Sequence, residues 1–241
     1  MELTIILFLF GGLFLGWSLG ANDAANVFGT AVGTRMISFK TAALVCSIFV
    51  VLGSVISGAG TTETIAKLGA INALPGAFAC CLAAGSSVYL MTKAGLPVST
   101  TQAIVGAIIG WNFFTSSKID YNVLTTIFAT WILCPILAGV IAIGIFTLVK
   151  KIVFNSKIHI LRLDAYTRLA LLLAGAFGSY SLGANNIANV MGVFVNISPF
   201  TDIEITSFFT FTSTEQLFLL GGLAIAAVSY THLTLPTKRI V

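Results

Sequence analysis

Two short runs of amide side chains, one of them carrying a carboxylate, are the residues of this sequence best placed to do chemistry. Residues 18–29 read S-L-G-A-N-D-A-A-N-V-F-G, and residues 181–192 read S-L-G-A-N-N-I-A-N-V-M-G. Nine of the twelve positions are identical at a constant offset of 163, which marks an internal repeat. The first cassette holds Asn22, Asp23 and Asn26; the second holds Asn185, Asn186 and Asn189. Each lies inside an apolar run, where an isolated charge is costly unless it is paired or wet. A carboxylate among amide oxygens suits a small hard cation. On a continuous helix Asn22 and Asn26 share a face, and Asp23 lies roughly 100° away. Gly20 and Gly29 bracket the group and weaken a helix locally, so the spacing predicts unwinding there, with freed carbonyls as further ligands. A single asparagine in such a helix would serve more simply as hydrogen-bonding glue between helices. Two matched copies, one with a carboxylate, favour a site where the copies meet.

A second polar island, L-P-V-S-T-T-Q, occupies residues 96–102 and leads into the apolar run 103–110. Pro97 cannot continue a preceding helix but fits a first turn. The hydroxyls of Ser99, Thr100 and Thr101 and the amide of Gln102 then cluster beside the free N–H groups of a helix start. That arrangement favours an anion through N–H donors and the positive end of the helix dipole. An ordinary capped helix entering from a short loop has the same spacing, and the sequence does not separate the two. Taken together, the islands supply cation ligands and an anion cradle in one apolar protein. A bound cation would offset the anion's charge at low dielectric, so each solute would raise the affinity for the other.

The elements that must position these groups are membrane helices. Of 241 residues 57% are hydrophobic and 8% charged, with a mean hydropathy of +1.03, against about 25% charged residues in a soluble domain. No charge falls within residues 41–62, 68–92, 121–149 or 169–201, and residues 3–34 hold Asp23 alone. Each gap exceeds the ~20 apolar residues that cross a bilayer. The alternative, one large soluble core, would leave nothing to cover its surface. Runs this long and uniform are not barrel strands, so the class is an all-α integral membrane protein, a polytopic helical bundle with internal repeats. Expected spans lie near 3–34, 41–62, 70–92 and 123–149, with an odd segment at 94–117. A further span is expected near 169–197 and the start of another near 216–230. If 94–117 is a re-entrant hairpin, the first half crosses four times and the halves share an orientation; if it crosses once, five crossings invert the second half. With inverted halves, a hairpin there requires another segment, such as the long first one, to be non-standard as well.

The basic stretch 150–168 holds Lys150, Lys151, Lys157, Arg162 and Arg168 against Asp164, and is expected as a cytoplasmic loop. It divides the chain into a first transmembrane repeat, 1–149, and the start of a second, 169–228. The run 217–228 looks too short to span, and residues 229–241 read as a non-native tail on a truncated chain; no function is assigned to His232, Lys238 or Arg239. The start of the chain reads as a span rather than a cleavable signal. Cys46, Cys80, Cys81 and Cys134 lie in apolar runs without ligand spacing and read as small buried hydrophobes. Glu63 and Lys67 are four apart beside a span and read as a surface pair, Glu63 alternatively as a lining of an ion path. His159 reads as solvated, and Trp17, Trp111 and Trp131 as packing or interfacial anchors. The sequence lacks a nucleotide-binding loop, a Ser-His pair and a His/Cys metal cluster, so a non-enzymatic role is expected, with no nucleic-acid partner.

The segments G-A-N-D-A-A-N-V-F-G-T-A-V-G at 20–33 and P-V-S-T-T-Q-A-I-V-G-A-I-I-G at 97–110 resemble the signatures of the inorganic phosphate transporter (Pit) family. The resemblance spans roughly residues 5–228. It implies secondary active transport of inorganic phosphate, in symport with sodium or protons, by two related and inverted halves containing broken or re-entrant helices. By this likeness Ser99, Thr100, Thr101, Gln102, Asn22 and Asn185 would bind phosphate. Asp23, Asn26, Asn186 and Asn189 would bind the coupling cation, with sodium at Asp23 and Asn26. Beyond that cation no cofactor is implied. The implied location is a plasma membrane, that of a prokaryotic inner membrane, and a homo-oligomer is compatible with it. A transporter or channel for another inorganic anion such as sulfate is the alternative. Two departures stand out: Asn186 occupies a position where the family often has aspartate, and no second P-V-S-T-T segment follows the second cassette. On this reading the chain forms half of the site.

Overall fold

The computed structural model describes residues 2–68, 73–96, 98–156, 158–206 and 209–232. Eight α-helices are found among them: α1 (Glu2–Gly33), α2 (Phe39–Ser57), α3 (Ala59–Leu68), α4 (Leu74–Lys93), α5 (Thr100–Thr115), α6 (Tyr121–Asn155), α7 (Ile160–Met191) and α8 (Ser213–His232). A 3-10 helix (Gly192–Ile197) continues α7, and two short antiparallel strands, β1 (Ile203–Thr206) and β2 (Phe209–Phe211), precede α8. Four helical segments are long and apolar enough to cross a membrane: Thr4–Gly33, Phe39–Ser57, Leu74–Lys93 and Tyr121–Asn155. The segment expected near 169–197 is helical but is not among them, because its polar cassette dilutes an otherwise apolar run. The β-hairpin was not expected.

Local chemistry sets the ends of these helices. Ser38 caps α2 by accepting from Thr41 N–H at 3.2 Å, and Asp120 Oδ1 caps α6 by accepting from Asn122 and Val123 N–H at 2.9 and 3.2 Å. α8 opens on a reciprocal capping box: Thr212 Oγ1 accepts from Glu215 N–H at 3.2 Å, and Glu215 Oε2 accepts from Thr212 N–H at 2.8 Å. That start precedes the apolar run at 217, and the helix continues to His232, so the run read as 217–228 belongs to a 20-residue helix. The residues of the expected tail beyond His232, with Lys238 and Arg239, lie outside the described residues, as do Pro97 and Lys157. Most of the basic stretch is folded into helix ends: Lys150 and Lys151 close α6, while Arg162 and Arg168 open α7.

The two cassette helices, α1 and α7, cross antiparallel. Gly12 lies against Val190 and Phe194, Gly16 against Val190, Val27 against Gly178, and Phe28 against Gly175. The second half is therefore inverted relative to the first. Each half also packs mainly through the other: α1 lies on α8, α7 lies on α2, and α2 crosses α8. Matching glycines make the two close approaches. A Cβ on Gly20 would collide with the carbonyl oxygen of Ile225 in α8, and one on Gly183, at offset 163, would collide with that of Val50 in α2. Both cassette helices are continuous at these positions. The expected unwinding at Gly20 and Gly29 is thus corrected: Gly20 serves backbone contact, and Gly29 has open space around it.

α4 runs alongside α1 in the same direction, with Gly11 against Phe78, Gly85 against Phe14 and Leu15, and Thr92 against Asn22. It stops there. Gly95, at φ 73°, takes the left-handed conformation that turns the chain, with Leu96 N–H donating to Met91 O at 3.0 Å, and α5 returns along α4. The turn lies eleven residues, roughly 16 Å, short of the end of α1. The re-entrant unit is therefore α4 with α5, so the expected crossing at 70–92 is its entering arm and the odd segment at 94–117 only its returning arm. Three crossings, α1, α2 with α3, and α6, then remain in the first half, which accounts for the inversion.

Candidate functional site

The turn between α4 and α5 places the second polar island between the two cassettes. On one side Asn22 Nδ2 donates to the carbonyl of Val98 at 3.0 Å and to Asp23 Oδ1 at 2.9 Å. Asn22 Oδ1 accepts from Thr92 Oγ1 at 3.4 Å. On the other side Asn189 Nδ2 donates to Thr101 Oγ1 at 2.9 Å and to Asn186 Oδ1 at 3.0 Å. Val98 and Thr101 are three residues apart, so one short stretch of backbone is tied to both repeats.

The start of α5 has the form of an anion cradle. Ser99 caps it, its Oγ accepting from Gln102 N–H at 3.3 Å, and Ala103 N–H donates to Ser99 O at 3.1 Å. The N–H groups of Thr100 and Thr101 are not used by that cap, and they sit at the positive end of the helix dipole. Ser99 and Gln102 are exposed and Thr101 is half-buried. Thr100 is 4% exposed, and its hydroxyl has no hydrogen-bond partner among the described residues. Such a donor is poised for a ligand or a water, because leaving it unpaired costs stability.

Half-buried Asn22 and Asp23 and buried Asn186 and Asn189 are thus gathered around one turn with residues 98–102. Asn26 and Asn185 are exposed and do not join that hydrogen-bonded group. The Asp23 carboxylate lies against the Asn22 amide on one side of the turn, and Asn186 Oδ1 against the Asn189 amide on the other; carboxylate and amide oxygens are hard donors, suited to sodium or a proton more than to a soft metal. Among the described residues no group of three His, Cys, Asp or Glu side chains is placed to hold a metal ion. The side chains of Glu63 and Lys67 lie outside the described residues.

Sequence reasoning overlooked several neighbours. Thr92 bonds Asn22 from the last turn of α4; Thr61, just after the break at Gly58, donates to the carbonyl of Ala184 at 3.1 Å inside the second cassette. Paired threonines beside a glycine were the available signal for Thr61. Asn112, near the end of α5, is 1% exposed with both amide atoms unpartnered, and a lone amide within an apolar run marked it. Trp17 packs between Phe14 and Tyr89, with ring centroids 6.1 and 5.7 Å away, Trp111 covers Gly76, and Trp131 meets Phe128 edge-on at 4.8 Å. Cys46, Cys80 and Cys81 are buried, while Cys134 is exposed on α6, contrary to the expectation of burial.

Inverted repeats, a re-entrant hairpin and a polar site at the crossing of two helices define the architecture of an all-α integral membrane protein. The model of the phosphate transporter family matches residues 19–167, and the chain belongs to that family. It is 34% identical over 158 residues to a Haemophilus influenzae protein named "Putative phosphate permease", covering 61% of this chain and 37% of that one. It is also 34% identical over 158 residues to the sodium-dependent phosphate transporter of Plasmodium falciparum, covering 60% and 23% of the two chains. The chain spans less than half the length of these curated relatives. A solved structure described as the sodium-dependent phosphate transporter has the same fold, with a TM-score of 0.75 and 23% identity over 98% of this chain and 77% of that one.

Proposed function

We propose that this chain carries out, or forms a principal part of a protein that carries out, cation-coupled transport of inorganic phosphate across a cell membrane. The observation that carries the reading is the joining of both cassettes to one turn. Asn22 holds Val98 O at 3.0 Å and Asn189 holds Thr101 Oγ1 at 2.9 Å, so the anion cradle and the carboxylate share one locus between the repeats. In this mechanism Thr100 and Thr101 N–H, with the side chains of Ser99, Thr100, Thr101, Gln102, Asn22 and Asn185, bind phosphate. Asp23, Asn26, Asn186 and Asn189 bind the coupling cation. The cation neutralises part of the phosphate charge in a site of low dielectric, so neither solute binds well without the other. Phosphate enters and leaves chemically unchanged.

The family supports phosphate as the solute; the sodium dependence belongs to the names of the relatives and is proposed here for this protein. The test is phosphate uptake into proteoliposomes, with sodium and proton gradients imposed separately, beside Asp23→Asn. We expect uptake under the sodium gradient and its loss in the variant. Uptake driven by protons alone would reassign the ion. Competition by sulfate equal to that by phosphate would point to another anion, and no uptake by folded protein under either gradient would overturn the proposal.

A further inference from the structure

A second cleft, far from the cassettes, opens at the end of the molecule where α1 hands over to α2. Met36, Ile37, Ser38, Thr41, Arg168, Leu169 and Leu172 line an open cleft of about 240 Å³ between the 34–38 loop, α2 and α7. Arg168 is its charged member. Its Nε donates to Asp164 Oδ2 at 2.8 Å, and its Nη1 to Met36 O at 2.7 Å. The Nη2 edge has no protein acceptor among the described residues. Ser38 Oγ and Thr41 Oγ1, 2.8 Å apart, face the same cleft. The remaining lining is aliphatic.

This end of the molecule is basic. Arg35 and Lys40 flank the loop, Lys150 and Lys151 end α6, and Arg162 precedes Arg168 on α7. Asp120, Asp202, Glu204 and Glu215 lie at the opposite end, beside the end of α3 and the start of α8. Below the cleft, α2 and α7 run side by side. Leu44 and Ile48, at helical spacing from Thr41, are 62% and 49% exposed. Leu173 and Phe177, one and two turns beyond Leu169, are 62% and 73% exposed. A guanidinium edge and hydroxyls thus open onto two parallel apolar tracks.

We propose that this cleft binds the phosphodiester headgroup of an anionic phospholipid, whose acyl chains lie along the Leu44–Ile48 and Leu173–Phe177 tracks. Inorganic phosphate would meet the same guanidinium but would leave the aliphatic lining and both tracks unused. Basic pockets between helices at a membrane surface are suited to such headgroups. The lipid would bridge the first-half loop and the second-half helix that Arg168 already joins.

The test is native mass spectrometry of the protein released from nanodiscs of phosphatidylcholine containing phosphatidylglycerol, with Arg168→Gln and Leu169→Trp. The tryptophan fills the cleft without touching the bonds of Arg168, so it decides the matter if Arg168→Gln misfolds. We expect retained phosphatidylglycerol to fall roughly fivefold in Arg168→Gln, the loss of one basic contact, and at least as far in Leu169→Trp, where the headgroup is excluded, while phosphatidylcholine retention is unchanged. Equal phosphatidylglycerol retention in wild type and Leu169→Trp would overturn the proposal. So would stabilisation by free inorganic phosphate that disappears in Leu169→Trp, since the cleft would then be a free-anion site.

Discussion

Asn189 shows how much can hang on one amide. Its donor bond to Thr101 holds the start of α5 in place from the second repeat, and its bond to Asn186 on the same helix orients the amide. Thr101→Val keeps the shape of the side chain but removes one of the two acceptors of a buried amide. We expect the KM for phosphate to rise about tenfold, near 1.4 kcal/mol, with Thr101→Ser close to wild type; uptake kinetics distinguish them. Asn112 makes the opposite case. Both of its amide atoms are buried without partners, so Asn112→Leu removes an unpaid desolvation cost. A gain of about 1 kcal/mol in stability is expected, read as a higher midpoint of thermal unfolding in detergent with uptake unaltered. Which side chains carry polarity was legible in the sequence, and the island at 96–102 and both cassettes do meet. The partners were not legible. Thr92 and Thr61 reach the cassettes through helix placement, and Val98 takes part through a carbonyl that every residue possesses.

At the scale of the element, glycine in the cassettes follows from packing rather than from weakness. In lipid, helices associate by close approach of small residues, and Gly20 and Gly183 each bring a helix onto the backbone of its neighbour. Gly20→Ala and Gly183→Ala should therefore destabilise the protein by similar amounts, about 1–3 kcal/mol each by overpacking. Gly29→Ala, with nothing within 4 Å, should stabilise it by about 1 kcal/mol through helix propensity. Thermal unfolding of the three variants checks this. If the bracketing glycines instead permitted unwinding, Gly20→Ala and Gly29→Ala would behave alike. The class of the elements and most of the helical segments were readable from gaps in charge; the break at Gly58 that sets off α3, and the strands β1 and β2, were not. The pairing of α4 with α5 was not, since an apolar 20-residue run has the same composition whether it crosses or turns back. The turn is signalled by Gly95, whose positive φ became evident only in three dimensions.

Apart from Asp164 at the basic end and Lys118 at the acidic one, the charges at the helix ends sort by side, and three crossings in the first half fix which ends share a side. Single cysteines at Lys118, after the hairpin returns, and at Asp202, after α7, should react with a membrane-impermeant maleimide from one side. A cysteine at Arg162 should react only from the other. Labelling of Lys118→Cys from the Arg162 side would mean that α5 crosses, contrary to the hairpin geometry. Offset repeats announced the duplication, yet the exchange of partners between halves could not be read from it. Nothing in a sequence of helices says that α2 prefers α7 to α1.

That exchange of partners has a consequence for biosynthesis. α2 ends at Ser57 and the helix it packs against ends at Met191, so 134 residues must be made before the pair can close. At roughly 5–20 residues per second the wait is on the order of ten seconds. Throughout it, the backbone grooves at Gly53 and Gly58, destined for Tyr180 and Ile187, face lipid or an insertion factor. The nascent first half is thus an unfinished surface awaiting its complement, and the ribosome's pace sets how long it stays so.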